Sequence, residues 1–266
     1  MAKSLRVILL IALIITPIIF YKTLNRKSNS NNKVLSFSVG GEGSRRPKIA
    51  LIFDDLGESL RDLRELYSLD IPLTISVIPN LKFSKNIAHI ASRCGFSVFI
   101  HLPLEPARSQ QYQTDKYRFI TSDLSKREII SLLRQYLNSI RIAIGVNNHM
   151  GSLATENRQL MKIILGELKK RGLVFVDSRT SLESIAYEQA REMELISGYN
   201  QGFLDATDDV AAIEKRMEEL ETLAQEKGKI IVIAHPRKNT LKILRARLPL
   251  LRKKIDFITV KDYFEL

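Results

Sequence analysis

A chain of 266 residues, 45% of them hydrophobic, is long enough to bury one sizeable core, as one barrel-sized domain or two small ones. Its formal charge of +12 is concentrated: residues 1–47 hold eight of the 41 Lys/Arg and one of the 29 Asp/Glu, so +7 sits there and +5 on everything after. With no Trp and no interleaving of basic and aromatic residues, that remainder argues against nucleic acid as a partner, and a single cysteine, Cys94, excludes an intrachain disulfide and a Cys-rich zinc site.

Lys3 and Arg6 precede an apolar run from Val7 to Tyr21, interrupted only by Thr16 and Pro17. A short charged lead before such a run is the pattern of a signal peptide or signal anchor over residues 1–21, although the run is short for a full membrane span. No small-x-small cleavage site follows at Lys22-Thr23-Leu24-Asn25. That favours an uncleaved anchor, with the membrane as partner and the folded part outside the cytoplasm, in the periplasm or at the cell surface. Lys22, Arg26 and Lys27 oppose this topology, because positive flanks are usually retained inside. Residues 22–47 are basic and rich in Gly, Ser and Asn, the composition of a flexible linker.

From Lys48 onward, short apolar runs alternate with amphipathic stretches. The runs predict strands over 48–53, 73–78, 96–100, 142–146, 173–176, 229–234 and 256–260, with a weaker candidate at 202–204. Most are apolar on both faces, as strands of a covered parallel sheet are. The spacing predicts helices over Ser84–Cys94, closed by Gly95, and over 156–171 and 209–227, closed by Gly172 and Gly228. Ser125-Lys126-Arg127-Glu128 is a capping box ahead of Ile129, Leu132, Leu133 and Tyr136. Seven or eight strand–helix units make an α/β barrel or a doubly wound sheet, and in both function gathers at the C-terminal strand ends.

Three of the four histidines fall there. His101 follows 97–100, His235 follows 230–234, His149 comes three residues after 142–146, and the pair Asp54-Asp55 follows 49–53. Each alone has a plain explanation: Asp54 and Asp55 as helix caps, His101, His149 and His235 as loop or turn residues. Together they put imidazoles and carboxylates on one rim, which suits zinc or another N/O-ligated divalent cation. His89, inside the Ser84–Cys94 helix, and Cys94 read as structural.

The segments Ile49–Gly57 (IALIFDDLG), His101–Pro106 (HLPLEP), Gly145–Ser152 (GVNNHMGS), Val176–Thr180 (VDSRT) and Ile233–Pro236 (IAHP) resemble, in order, those of the divergent polysaccharide deacetylase family, relatives of the NodB-type carbohydrate esterases. The resemblance spans nearly all of 48–266, which it implies to be a catalytic domain folded as an irregular (β/α) barrel of seven or eight units. It implies a divalent metal, Zn2+ foremost, held by Asp55 and histidines, with Asp54 as general base and His235 as general acid. One departure stands out: the wider group has His-x-x-x-His, and here His101 is followed by Leu102-Pro103-Leu104-Glu105. The expected ligand set is then Asp55, His101 and His149, unless Glu105 takes the third place. Glu105, Asn148, Asp177, Arg179 and Asp205 are expected to support the ligands or touch substrate, with Arg179 binding a substrate carboxylate or pairing with Asp177. The implied activity is removal of N-acetyl groups from an acetylated envelope glycan such as peptidoglycan. The Glu105 departure keeps an alternative open, a catalytically weak envelope protein that binds a glycan or partner on the same fold. A different metal hydrolase would use the same residues.

Overall fold

The structure is a computed structural model and describes residues 46–107 and 114–266, so the expected anchor and nearly all of the linker lie outside the described residues. Eight strands, β1 (Lys48–Leu56), β2 (Thr74–Val77), β3 (Ser97–Leu104), β4 (Gly145–Met150), β5 (Val174–Asp177), β6 (Ser197–Tyr199), β7 (Lys229–Ala234) and β8 (Asp256–Ile258), form one sheet. The path runs β6-β5-β4-β3-β2-β1-β7, β8 pairs with the start of β1, and every pairing is parallel. Helices α1 (Leu60–Tyr67), α2 (Ser84–Arg93), α3 (Lys126–Ser139), α4 (Arg158–Lys170), α5 (Ala186–Glu192), α6 (Val210–Lys227) and α7 (Lys238–Leu251) lie between strands, and α8 (Val260–Phe264) follows β8. This is an irregular (β/α) barrel.

Side chains alternate across a strand, so one strand feeds two apolar layers. In β1, Ala50 and Ile52 join Phe99, Val174, Val176, Ile231 and Ile233 in one cluster, while Ile49, Leu51 and Phe53 pack with Leu66, Leu133, Leu165 and Leu244 from the helices. The first cluster is the barrel interior, and Val260, Tyr263 and Phe264 of α8 pack into it. Gly198 leaves the room for this: a Cβ there would stand 2.9 Å from Ile231 and 3.0 Å from Phe264.

The barrel closes by an irregular segment. Gln201 N donates to Ile231 O at 2.9 Å, Leu204 N donates to Ile233 O at 2.8 Å, and Phe203 forms an isolated bridge with Ile233. The weak 202–204 candidate is this bridge. The regular strand β6 beside it, with only Ser197-Gly198-Tyr199, is too short to carry a periodic signal and was not predicted.

Two predicted strands are corrected in a way that bears on the site. Residues 142–144 are not in a strand, Arg141 and Ile142 forming a turn, and β4 instead runs from Gly145 through Asn147, Asn148 and His149 to Met150. Those polar residues are tolerated because each finds a partner, as described below. β3 continues past Ile100 to Leu104, so His101 lies within the strand. Pro103 costs no ladder bond on the β2 side, since that pairing ends at Val77–Ile100.

The helix starts follow local chemistry. The Ser125 capping box is complete, Asn157 caps α4 and Asp209 caps α6. Ser59 caps α1, which leaves Asp54 and Asp55 without that role. His89 is exposed on α2 and Cys94 is half-buried at its C-cap. Among the described residues no helix is long and apolar enough to cross a membrane.

Candidate metal centre

The C-terminal ends of β1, β3, β4 and β7 bring Asp54, Asp55, His101, His149 and His235 around one cavity of about 230 Å³, lined also by Asn148, Met150, Ser178, Thr180 and Phe203. The β1 end is irregular. The register shifts between Phe53 and Leu56, and Asp55 has a φ of 63°, a left-handed conformation that Asp tolerates better than most residues. Asp55 Oδ1 lies 3.2 Å from His101 Nε2 and 3.0 Å from His149 Nδ1, and Asp55 Oδ2 lies 3.7 Å from His235 Nε2.

Strand register selects the two imidazoles. His101 on β3 pairs with Asn147 on β4, and Pro103 with His149, so His149 lies two residues further on the same face. Glu105 has left the strand: its carboxylate accepts from Ser122 N at 2.8 Å and its carbonyl from the N–H groups of Leu153 and Ala154. One donor atom each from Asp55, His101 and His149 falls within 4.8 Å of the others, and Glu105 does not join them.

Hydrogen bonds prepare both rings as ligands. Asn147 Nδ2 donates to both oxygens of Asp54, at 2.9 and 3.1 Å, which turns its Oδ1 towards His101 Nδ1 at 3.1 Å and the Ser76 hydroxyl. An amide oxygen only accepts, so His101 Nδ1 carries the hydrogen and Nε2 is bare in the neutral ring. His149 Nε2 meets the Tyr117 hydroxyl at 2.9 Å, leaving Nδ1 towards Asp55, and Phe119 stacks on the ring.

The electrostatics favour a cation. Burial opposes ionisation of Asp55, but the neighbouring His101 and His149 imidazoles outweigh it and hold the carboxyl far below its ordinary value. Burial alone would lower the His101 pKa; the Asp54 and Asp55 carboxylates raise it, and the same carboxylates attract a metal ion to that spot. Burial dominates at His149 and lowers its pKa, which favours the neutral ring. Two nitrogens and one carboxylate oxygen converging on a partly open cavity fit a divalent ion such as Zn2+.

Asp54 is buried beside this set, and desolvation pushes its carboxyl up to about 6 against the pull of His101 and His235. His235 stands across the cavity. Its Nδ1 meets Asp205 Oδ1 at 2.8 Å, while Asp205 Oδ2 accepts from His235 N and the Thr240 hydroxyl, so the Asp205 carboxylate is fully engaged. Burial lowers the His235 pKa, but Asp205 and Asp54 more than reverse it. Phe203 stacks on the ring with planes 10° apart.

The other expected residues have structural duties. Asn148 Oδ1 accepts from Ser178 N and its Nδ2 donates to Met150 O, which binds the loop after β5 to the end of β4. Gly151, at φ 87°, turns the chain here, and a Cβ would stand 2.8 Å from Leu104. Asp177 touches no imidazole: it accepts from Ser184 and from Arg179 N, fixing the 178–184 loop. The Arg179 guanidinium pairs with Asp177 and Glu188 and lies over Tyr199, so it does not line the cavity around Asp55. Asn147, Ser76, Tyr117, Phe203 and Thr240 were not foreseen. Asn147 was next to a chosen residue, and strand alternation from His149 would have selected it.

The model of a family described as divergent polysaccharide deacetylase matches residues 51–264. An uncharacterized protein of Haemophilus influenzae Rd is 29% identical over 211 residues, 79% of this chain and 74% of that one. The uncharacterized protein YibQ of Escherichia coli K12 is 28% identical over 198 residues, 74% of this chain and 61% of that protein. Among solved structures, an uncharacterized protein of Agrobacterium tumefaciens C58 superposes with a TM-score of 0.75 at 20% identity, covering 84% of this chain and 92% of that one. A family 4 carbohydrate esterase of Streptomyces lividans, solved with acetate, gives a TM-score of 0.50 at 16% identity, covering 79% and 91%. At these identities the likeness is one of fold.

Proposed function

The chain belongs to the divergent polysaccharide deacetylase family, and from that premise we propose that it is a divalent-metal-dependent amide hydrolase that removes N-acetyl groups from an envelope polysaccharide such as peptidoglycan, outside the cytoplasm. The observation that carries this reading is the meeting of a three-donor set, Asp55, His101 and His149, with a buried carboxylate on one side and an Asp205-oriented imidazole on the other.

Amide hydrolysis needs an activated water, charge stabilisation at the carbonyl and a proton for the departing amine. A divalent ion held by the three donors supplies the Lewis acidity for the first two. Asp54, with its pKa pushed up to about 6, is a stronger base than an ordinary carboxylate and takes the proton from water. Asn147 holds both its oxygens in place. His235 keeps its Nδ1 hydrogen on Asp205 and presents Nε2 to the cavity, from which it protonates the amine. Phe203 and Met150 give the small cavity apolar wall for an acetyl methyl.

Acetate release from a panel of N-acetylated glycans, with and without chelation and metal restoration, tests the reading. Metal-dependent release from at least one glycan, lost in His101→Ala, is the expected result. Stoichiometric metal and retained glycan binding with no release from any glycan would replace it with the binding-protein alternative. A C-terminal reporter active only outside the cytoplasm tests the location.

A further inference from the structure

We propose that the barrel face opposite the metal centre docks on an anionic phospholipid bilayer. All strand pairings are parallel, so every strand begins on one face and ends on the other. The residues at or just before the strand starts include Lys48, Arg93, Arg141, Lys227 and Lys253, all exposed. Among the described residues none of the five has an ion-pair partner, whereas many other surface cations do. Ile196, immediately before β6, is 51% exposed, and Leu250, in the last turn of α7, is 58% exposed. The opposite rim gathers the carboxylates Asp54, Asp55, Glu105, Asp177 and Asp205.

The helices that lie between strands all end at the basic face, and each C-terminus favours a cation, which accounts for Arg93 and Lys227 at the ends of α2 and α6. It does not account for Lys48, which opens a strand, or for bare Ile196 and Leu250 among the charges. Unpaired cations and exposed aliphatic side chains on one face match an interface of anionic headgroups over acyl chain. Nucleic acid fits less well, because among the described residues no exposed aromatic residue stands with these cations.

The covalent chain enters at this same face. Arg46 pairs with Asp256 at 2.8 Å, and Asp256 N donates to Pro47 O. The sequence joined there contains the apolar run Val7–Tyr21 and the cations Lys22, Arg26, Lys27 and Lys33. A basic face at the point of attachment brings the domain down onto lipid and turns the metal centre away from it. This orientation does not depend on the deacetylase reading.

Lysine acylation of the full chain, read by mass spectrometry in reconstituted vesicles, tests the proposal. Lys48, Lys227 and Lys253 should label about fivefold more slowly in vesicles with roughly a third phosphatidylglycerol than in pure phosphatidylcholine, and raising salt to about 0.5 M should abolish the difference. Lys126 and Lys238, at the starts of α3 and α7 on the opposite side, should label equally in both. Arg93→Glu with Arg141→Glu should remove the protection; if that variant does not fold, the salt reversal on the unaltered chain decides. Equal labelling of the three lysines in the two vesicles overturns the proposal. Protection by an oligonucleotide but not by phosphatidylglycerol also overturns it and assigns the face to nucleic acid.

Discussion

Asp54 and Asp55, adjacent in the chain, both reach His101 Nε2, at 3.5 and 3.2 Å. Successive side chains of a regular strand point to opposite faces, so this requires the break in β1: the register shift after Phe53 and the φ of 63° at Asp55 turn the second carboxylate back to the site of the first. The two are then unlike in surroundings. The Asp54 side chain is 2% exposed and Asp55 41%, a difference that suits the proposed roles of Asp54 as base and Asp55 as ligand.

The purified chain should hold about one equivalent of a divalent metal by elemental analysis. His101→Ala and His149→Ala should lose most of it, and Glu105→Ala should keep it, because the Glu105 carboxylate is engaged with Ser122 N. Metal loss in Glu105→Ala with retention in His149→Ala would exchange their roles.

Asp54→Asn keeps shape and hydrogen bonding but cannot accept the proton of water. Turnover should fall by about a hundredfold or more, with metal content near that of the unaltered protein. Loss of metal would make Asp54 a ligand.

Asn147→Ala leaves the buried Asp54 carboxylate and the Ser76 hydroxyl without their shared partner. Stability in urea should drop by about 1–3 kcal/mol, and metal affinity by about 10–100-fold as His101 loses its orienting bond. An unchanged denaturation midpoint and unchanged affinity would remove this role.

Tyr117→Phe deletes one hydroxyl from a half-buried side chain, so stability should change by no more than about 0.5 kcal/mol. Metal affinity should still weaken by about tenfold, since His149 Nε2 loses the bond that fixes its ring. Titration with a competing chelator separates the two effects; equal affinity in both proteins would leave Tyr117 a packing residue.

His235→Ala should cost far more on N-acetyl amides than on activated acetyl esters, whose leaving group departs without a proton. Asp205 acts on the same step through His235. Its carboxylate raises the His235 pKa despite burial, and a general acid works only below its pKa, so activity falls as pH rises through that value. Asp205→Asn lowers the pKa and should therefore move the alkaline limb of the rate profile to lower pH. A limb that stays in place would detach His235 from it.

Apolar runs, caps and helix stops are local properties, so the strand–helix alternation and the placement of Asp54-Asp55 and His235 near strand ends were determined by sequence alone, whereas β3 runs on past His101 to Leu104. The Ser125 box, Gly172 and Gly228 act within a few residues of themselves. Only the tertiary structure decided which groups share the site. The β3–β4 register chose His149 over Glu105 as the second partner of Asp55. It also placed Asn147 between Asp54 and Ser76, contacts that span 93 and 71 residues of chain. Asp177 and Arg179 look like site residues in sequence, but the turn after β5 directs them to each other and to Ser184 and Glu188. The same limit hid β6: a three-residue strand has no period of its own and exists because the barrel must close against β7. Register and closure are set by packing between distant segments, and no local pattern records them.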